Sequence, residues 1–79
     1  MDYVIMTTKE VQFKNGIELE LSQSGNKYRV GIYNQNGYTH RNFSTLEDAM
    51  VVYCQLVKFI AHGLYSEKDR RAYLEAHGE

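Results

Sequence analysis

The stretch that decides the fold is FSTLEDAMVVYCQLVKFIAHG, residues 43–63. Its apolar side chains recur at three- and four-residue spacing, which is typical of the buried face of an amphipathic helix. These positions are Leu46, Ala49, Met50, Tyr53, Leu56, Val57 and Ile60. Ser44 and Glu47 have the spacing of a capping box, and Gly63 is a stop signal. The sequence therefore predicts a helix of about five turns over residues 44–62.

The residues before this helix predict an antiparallel sheet on which its apolar face can lie. Ile17, Leu19 and Leu21 alternate with Glu18 and Glu20, which is the period-two pattern of a half-buried strand. Each strand of this kind has one apolar and one polar face. We therefore expect a sheet with a core face and a solvent-exposed outer face.

Turn signals set the expected register of this sheet. A three-residue loop that ends at Gly16 places Phe13 opposite Ile17 and keeps one face apolar. The earlier run, residues 3–6, has strand-like composition and is expected to be an edge strand or a packed tail.

Two further hairpins complete the predicted meander. We expect residues 23–26 to form a four-residue loop and Asn36-Gly37 to form a type I′ turn. With these loops the expected partners are Leu21 with Tyr28, Val30 with Phe43, Ile32 with Arg41, and Tyr33 with His40.

After the main helix, Ser66 and Asp69 predict the start of a second, short helix that ends near His77. Its apolar content is thin, so we expect it to dock loosely. Residues 1–79 are therefore expected to form a single α+β domain. Its predicted core is an antiparallel β-meander of three to four strands packed on one long helix, with the short helix at its C-terminal side.

Composition limits the chemistry that this chain can perform. The formal net charge is −1, and the one cysteine, Cys54, lies within the predicted helix. His40, His62 and His77 have no neighbouring ligands at metal-site spacing, and no glycine-rich phosphate loop is present. The sequence therefore predicts a non-enzymatic protein without a metal or cofactor. No apolar run is long enough for a membrane span, and we expect a cytoplasmic location.

Two surfaces are candidate binding sites. The outer sheet face is expected to carry tyrosines of the kind enriched in interfaces, beside a gap left by Gly31. The candidate binding residues are Arg29, Tyr33, Tyr38 and His40 on this face, together with Arg41, which is expected at the sheet end with its guanidinium in water. On the back of the main helix, Val51 and Phe59 extend the apolar arc beyond what one sheet face needs. Either the second helix covers them or they form an interface, including one with a second copy of the chain.

Residues 28–49, YRVGIYNQNGYTHRNFSTLEDA, show a hairpin that ends in Phe, a Ser/Thr cap and an Ala-containing helix. This stretch is similar to the DNA-binding domains of the AP2 and integrase-arm type, in which a three-stranded sheet packs on a helix. In that family the sheet face enters a DNA groove, so the resemblance implies a nucleic-acid role for Arg29, Tyr33, His40 and Arg41. The chain departs from the family in having Glu18 on this face and no basic excess.

Two functions follow as hypotheses. The first is a protein-binding module, a small accessory or inhibitor protein of the kind that phages and mobile elements encode, which acts by steric binding. The alternative is a nucleic-acid-binding domain that uses the outer sheet face, with a steep salt dependence.

Overall fold

The computed structural model describes the backbone of residues 5–79 and the side chains from residue 9 onward. The elements in chain order are β1 (Ile5–Gln12), β2 (Glu18–Ser24), β3 (Lys27–Asn34), β4 (Gly37–Phe43), α1 (Leu46–Ala61) and α2 (Glu67–His77). The four strands form one antiparallel sheet in the order β1-β2-β3-β4. The predicted α+β fold, a β-meander followed by a long and a short helix, is confirmed.

Strand β1 begins within the run that the sequence marked as an edge strand or tail. Tyr3 and Val4 lie outside the described residues, and the strand then continues to Gln12 with an irregularity between Thr7 and Lys9. The loop to β2 has the predicted form. The Phe13 amide donates to the Ile17 carbonyl oxygen at 2.8 Å, and Gly16 has a φ of +86°, which favours glycine.

The second hairpin is tighter than predicted. Ser24 pairs with Lys27, so the loop holds only Gly25 and Asn26 instead of residues 23–26. Gly25 has a φ of +63° at the first loop position, as a type II′ turn requires. Strand β2 therefore extends by two residues, Gln23 and Ser24, and Leu21 lies opposite Val30 rather than Tyr28.

The third hairpin also differs from the prediction. Asn34 pairs with Gly37, so the loop residues are Gln35 and Asn36. The Asn34 side-chain oxygen accepts a hydrogen bond from the Asn36 amide at 2.8 Å, a local turn that starts one residue earlier than expected. Both registers are displaced by two residues, and a displacement of two leaves every side chain on its predicted face. The observed partners in β3 and β4 are Tyr28 with Phe43, Val30 with Arg41, Gly31 with His40, Ile32 with Thr39, and Tyr33 with Tyr38.

The core lies between the inner sheet face and α1. Its buried apolar side chains are Leu19, Leu21, Val30, Ile32, Phe43, Ala49, Val52, Tyr53, Leu56, Ile60 and Leu74. Of the residues predicted on the buried helix face, Ala49, Tyr53, Leu56 and Ile60 are buried. Met50 and Val57 are partly buried. Leu46 is 41% exposed, whereas Val52 is only 4% exposed. This face is rotated toward α2, which contributes the fully buried Leu74 beside α1.

The main helix is capped one residue later than predicted. Thr45 is the N-cap, and its hydroxyl accepts a hydrogen bond from the Asp48 amide at 3.1 Å. The Ser44 hydroxyl instead donates to the Glu79 carboxylate at 2.7 Å. At the other end the Leu64 amide donates to the Phe59 carbonyl oxygen at 2.7 Å, which closes the helix after Gly63 as a Schellman motif does.

The C-terminal segment is fixed more firmly than its composition suggested. Ser66 caps α2 as predicted, and its hydroxyl accepts from the Asp69 amide at 3.1 Å. Beyond α2, Glu79 and Asn42 exchange two backbone hydrogen bonds of 2.8 and 3.2 Å along the edge of β4. The Glu79 carboxylate also pairs with Lys27 at 2.7 Å. These contacts, with Leu74 in the core, replace the loose docking that we expected.

Candidate binding surface

The outer sheet face carries polar and aromatic side chains in three rows that run across the strands. The first row holds Gln12, Glu18, Tyr33 and Tyr38, the second Glu10, Glu20, Gly31 and His40, and the third Ser22, Arg29 and Asn42. Because side chains alternate between faces along a strand, these residues all lie opposite the core. The register therefore brings the predicted residues Arg29, Tyr33, Tyr38 and His40 together on one surface.

Three rings on this face are stacked, and we call Tyr33, Tyr38 and His40 the aromatic stack. The ring centroids of Tyr33 and Tyr38 are 4.1 Å apart at 25°, and those of Tyr38 and His40 are 5.1 Å apart at 26°. Tyr38 lies across Gly31, where a Cβ would meet its ring at 2.6 Å. The gap that the sequence predicted at Gly31 is thus filled by a neighbouring tyrosine. Tyr33 and Tyr38 remain 37% and 38% exposed.

Three carboxylates lie beside the aromatic stack, and we call Glu10, Glu18 and Glu20 the acidic cluster. Glu10 is directly opposite Glu20 on the neighbouring strand. Burial and the negative charge of Glu10 raise the pKa of Glu20 above its ordinary value, although Arg29 and a hydrogen bond from Tyr38 oppose the shift. Among the side chains described, from residue 9 onward, no member of the cluster forms an ion pair.

The ionisation of the aromatic stack follows from these neighbours. Burial and the adjacent Tyr33 and Glu20 raise the pKa of Tyr38 to about 12. Burial and the positive charges of Arg29 and Arg41 lower the pKa of His40, which keeps its ring neutral at pH 7. The stack is therefore an uncharged surface beside the acidic cluster and Arg29.

Arg41 is separated from the other predicted binding residues. It pairs with Val30, whose side chain is in the core, so it lies on the inner face at the edge strand β4. Its guanidinium contacts Glu75 of α2 at 3.5 Å and donates to the His40 carbonyl oxygen at 2.7 Å. The sequence placed Arg41 at the sheet end but gave no sign of its partner on α2.

The second candidate surface, the back of α1, is covered at Phe59 and exposed at Val51. Phe59 packs edge-on against Tyr65, with ring centroids 4.8 Å apart, and against Tyr73 at 5.2 Å. The second helix and its connecting loop therefore cover Phe59. Val51 is 56% exposed and stands apart from this cluster.

Sequence reasoning missed Glu10 as part of the outer face. The signal was present, because the predicted pairing of Phe13 with Ile17 sets a register in which Glu10 is opposite Glu20. Nothing in the sequence indicated the contact between Tyr38 and Gly31, because these residues are diagonal to each other on neighbouring strands.

Other chemistry-bearing side chains are scattered. A groove of about 420 Å³ between β1 and α1 is lined by Lys9, Glu10, Val11, Met50, Tyr53, Cys54 and Val57. The Tyr53 hydroxyl is buried, and burial raises its pKa. In the part of the chain that the structure describes, no three His, Cys, Asp or Glu side chains are grouped as a metal site would need. Over the same residues, neither helix has the length and apolar character to cross a membrane.

Comparisons of this chain with protein-family models, with curated proteins and with solved structures gave no match. Function is therefore inferred from the side chains of the outer face.

Proposed function

We propose that this protein is a non-enzymatic protein-binding module, a small accessory or inhibitor protein that acts by steric occlusion through its outer sheet face. The observation that carries the proposal is the exposed aromatic stack. Tyrosines offer a large apolar contact area together with a hydroxyl that can hydrogen-bond, and they are enriched where proteins bind one another.

The placement of these rings supports binding. Tyr33 and Tyr38 stand on neighbouring strands and stack on each other at 4.1 Å. Tyr38 is further held against Gly31. Because the rings are already ordered in the free protein, binding of a partner costs less side-chain entropy than binding to flexible side chains would.

The charge of the face favours a protein over a nucleic acid. Arg29 shares it with three carboxylates, and Arg41 lies on the opposite side of the sheet. Phosphate binding scales with the number of neutralising cations, and carboxylates repel phosphates. One feature favours the nucleic-acid alternative, because bases stack on exposed aromatic rings.

The proposal is tested by affinity capture from a lysate of the organism that encodes the chain. The wild-type protein is compared with Y33A/Y38A and with V51A, which alters an exposed apolar side chain away from the sheet face. We expect a saturable protein partner that the tyrosine variant loses and the control retains. Capture that is equal for all three proteins, or no saturable partner, would contradict the proposal.

A gel-shift titration at low salt tests the alternative. We expect no shift with single-stranded or double-stranded DNA or RNA. A shift that Y33A/Y38A abolishes and that weakens steeply with added salt would replace the protein-binding proposal with the nucleic-acid one.

A further inference from the structure

We infer that the partner segment is arginine-rich and that its guanidinium groups lie on the exposed tyrosine rings while they pair with the acidic cluster. This inference rests on the proposed function, because it names the chemistry of the partner that the outer face would bind.

The first argument is the charge left uncompensated on this face. Its described charged side chains are the three carboxylates of the acidic cluster, with Arg29 and Lys27 as cations. Lys27 is already paired with Glu79 at 2.7 Å, so it offers little charge to the cluster. One guanidinium thus faces three carboxylates, and a cationic partner complements the surface.

The second argument is the mutual repulsion within the cluster. Glu10 and Glu20 are opposite each other, an arrangement that destabilises a sheet by like-charge repulsion. Glu18 lies on the same strand as Glu20 and adds to the repulsion. A partner cation placed between these groups relieves that repulsion, so the arrangement is better suited to the bound than to the free protein.

The third argument is the position of the rings relative to the carboxylates. Glu18 is directly opposite Tyr33, and the Tyr38 ring lies across Gly31, which is the residue opposite Glu20. A planar cation that stacks on a tyrosine is thus within reach of a carboxylate. Arginine suits this geometry better than lysine, because its planar guanidinium stacks on rings and binds carboxylates with two parallel hydrogen bonds.

The test measures binding of a fluorescein-labelled nine-residue arginine peptide by fluorescence anisotropy at low salt. Nine-residue lysine and glutamate peptides are measured in parallel. The variants are E18Q/E20Q and Y33A, and the matched control is E47Q/D48N, which also removes two negative charges but at the exposed start of α1.

We expect the arginine peptide to bind more tightly than the lysine peptide, and the glutamate peptide not to bind. E18Q/E20Q should weaken arginine-peptide binding at least about tenfold, and Y33A about two- to fivefold, as loss of a cation–π contact predicts. The control should change it less than twofold. Equal losses in E18Q/E20Q and the control would overturn the inference, because binding would then follow net charge alone.

Sedimentation of the free protein tests whether a second copy is the occupant instead. A dimer that Y33A disrupts would overturn the inference, since the two faces would then meet each other; a monomer agrees with it.

The affinity capture described above separates failure of the inference from failure of the proposed function. A captured partner that Y33A/Y38A loses, but that E18Q/E20Q retains and the arginine peptide fails to displace, would overturn the inference and leave the proposed function standing. Absence of any saturable partner would remove the proposed function itself. A partner displaced by the arginine peptide and lost with E18Q/E20Q supports both.

Discussion

The ring of Tyr38 lies against the backbone of Gly31, so closely that a Cβ at position 31 would come within 2.6 Å of the ring and 2.7 Å of the hydroxyl oxygen. Gly31 pairs with His40, two residues further along the strand that carries Tyr38. The missing side chain therefore allows Tyr38 to lean along the sheet and to stack on both Tyr33 and His40.

The variant G31A should displace the Tyr38 ring but keep the fold, since the blocking atoms are the movable end of a side chain. The pKa of Tyr38 is about 12 in the wild-type protein and should fall toward 10, because the ring loses its buried position. Ultraviolet absorbance of the phenolate during an alkaline titration measures this change, and Y38F identifies the step that belongs to Tyr38. A titration of G31A identical to that of the wild type would contradict the contact.

The variant E20Q should stabilise the protein at pH 7. The pKa of Glu20 is raised chiefly by burial and Glu10, with Glu18 adding, while Arg29 and Tyr38 act in the opposite direction. The folded protein therefore binds the Glu20 proton more tightly than the unfolded chain does. This contribution to stability is present at low pH and is lost as the pH rises through the raised pKa.

We expect E20Q to increase the free energy of unfolding at pH 7 by about 0.2 to 1 kcal/mol, as removal of an opposed like-charge pair predicts. Below about pH 4, where carboxylates are protonated, the difference should vanish. Urea unfolding at both pH values measures it, with E47Q as the control at an exposed carboxylate. An E20Q protein less stable than the wild type at pH 7 would contradict the repulsion.

The variant T45A should destabilise the protein more than S44A does. Thr45 accepts the hydrogen bond from the Asp48 amide, and its loss should lower the free energy of unfolding by about 1 kcal/mol. The Ser44 hydroxyl donates to the exposed Glu79 carboxylate, so S44A should change the free energy of unfolding by less than about 0.5 kcal/mol. Thermal or urea unfolding compares the two. A larger loss of stability in S44A than in T45A would show that Ser44 is the N-cap.

Tyr65 combines a left-handed backbone with a useful ring contact. Its φ is +65°, and its ring packs edge-on against Phe59. Both Y65A and Y65G remove the ring, but only glycine adopts this backbone conformation without strain. We expect Y65G to be more stable than Y65A by about 1 kcal/mol, as measured by urea unfolding. Equal stabilities would show that the backbone at this position relaxes when the ring is removed.

The inner and outer faces of the sheet were predictable, because a register error of two residues does not change the face on which a side chain lies. Two hairpin registers differ from the prediction by two residues, and this keeps Tyr33 and His40 on the outer face. The exact partners were not predictable, since Gly25 and Asn34 each allow more than one loop length. The cap was ambiguous for a similar reason, because Ser44 and Thr45 each have an acidic residue three positions later.

The candidate site was predictable only in part. Periodicity placed Arg29, Tyr33, Tyr38 and His40 on one face, but the environment of Arg41 depends on where α2 lies. Nothing in the local pattern of α2 indicates that Glu75 meets this arginine. The packing of a second helix is decided by contacts distant in sequence, which a single sequence does not display.

Every strand of the sheet pairs with its neighbour along the chain, and the loops between strands hold two or three residues. Little loop-closure entropy therefore opposes assembly of the meander, and chains with such local pairing reach the native state on a timescale on the order of milliseconds. The contacts of Glu79 with Asn42 and Lys27 join residues that are 37 and 52 positions apart in the chain. Their closure cost is larger than that of the hairpins, so we expect the C-terminal segment to form these contacts late in folding and to open early in native-state hydrogen exchange.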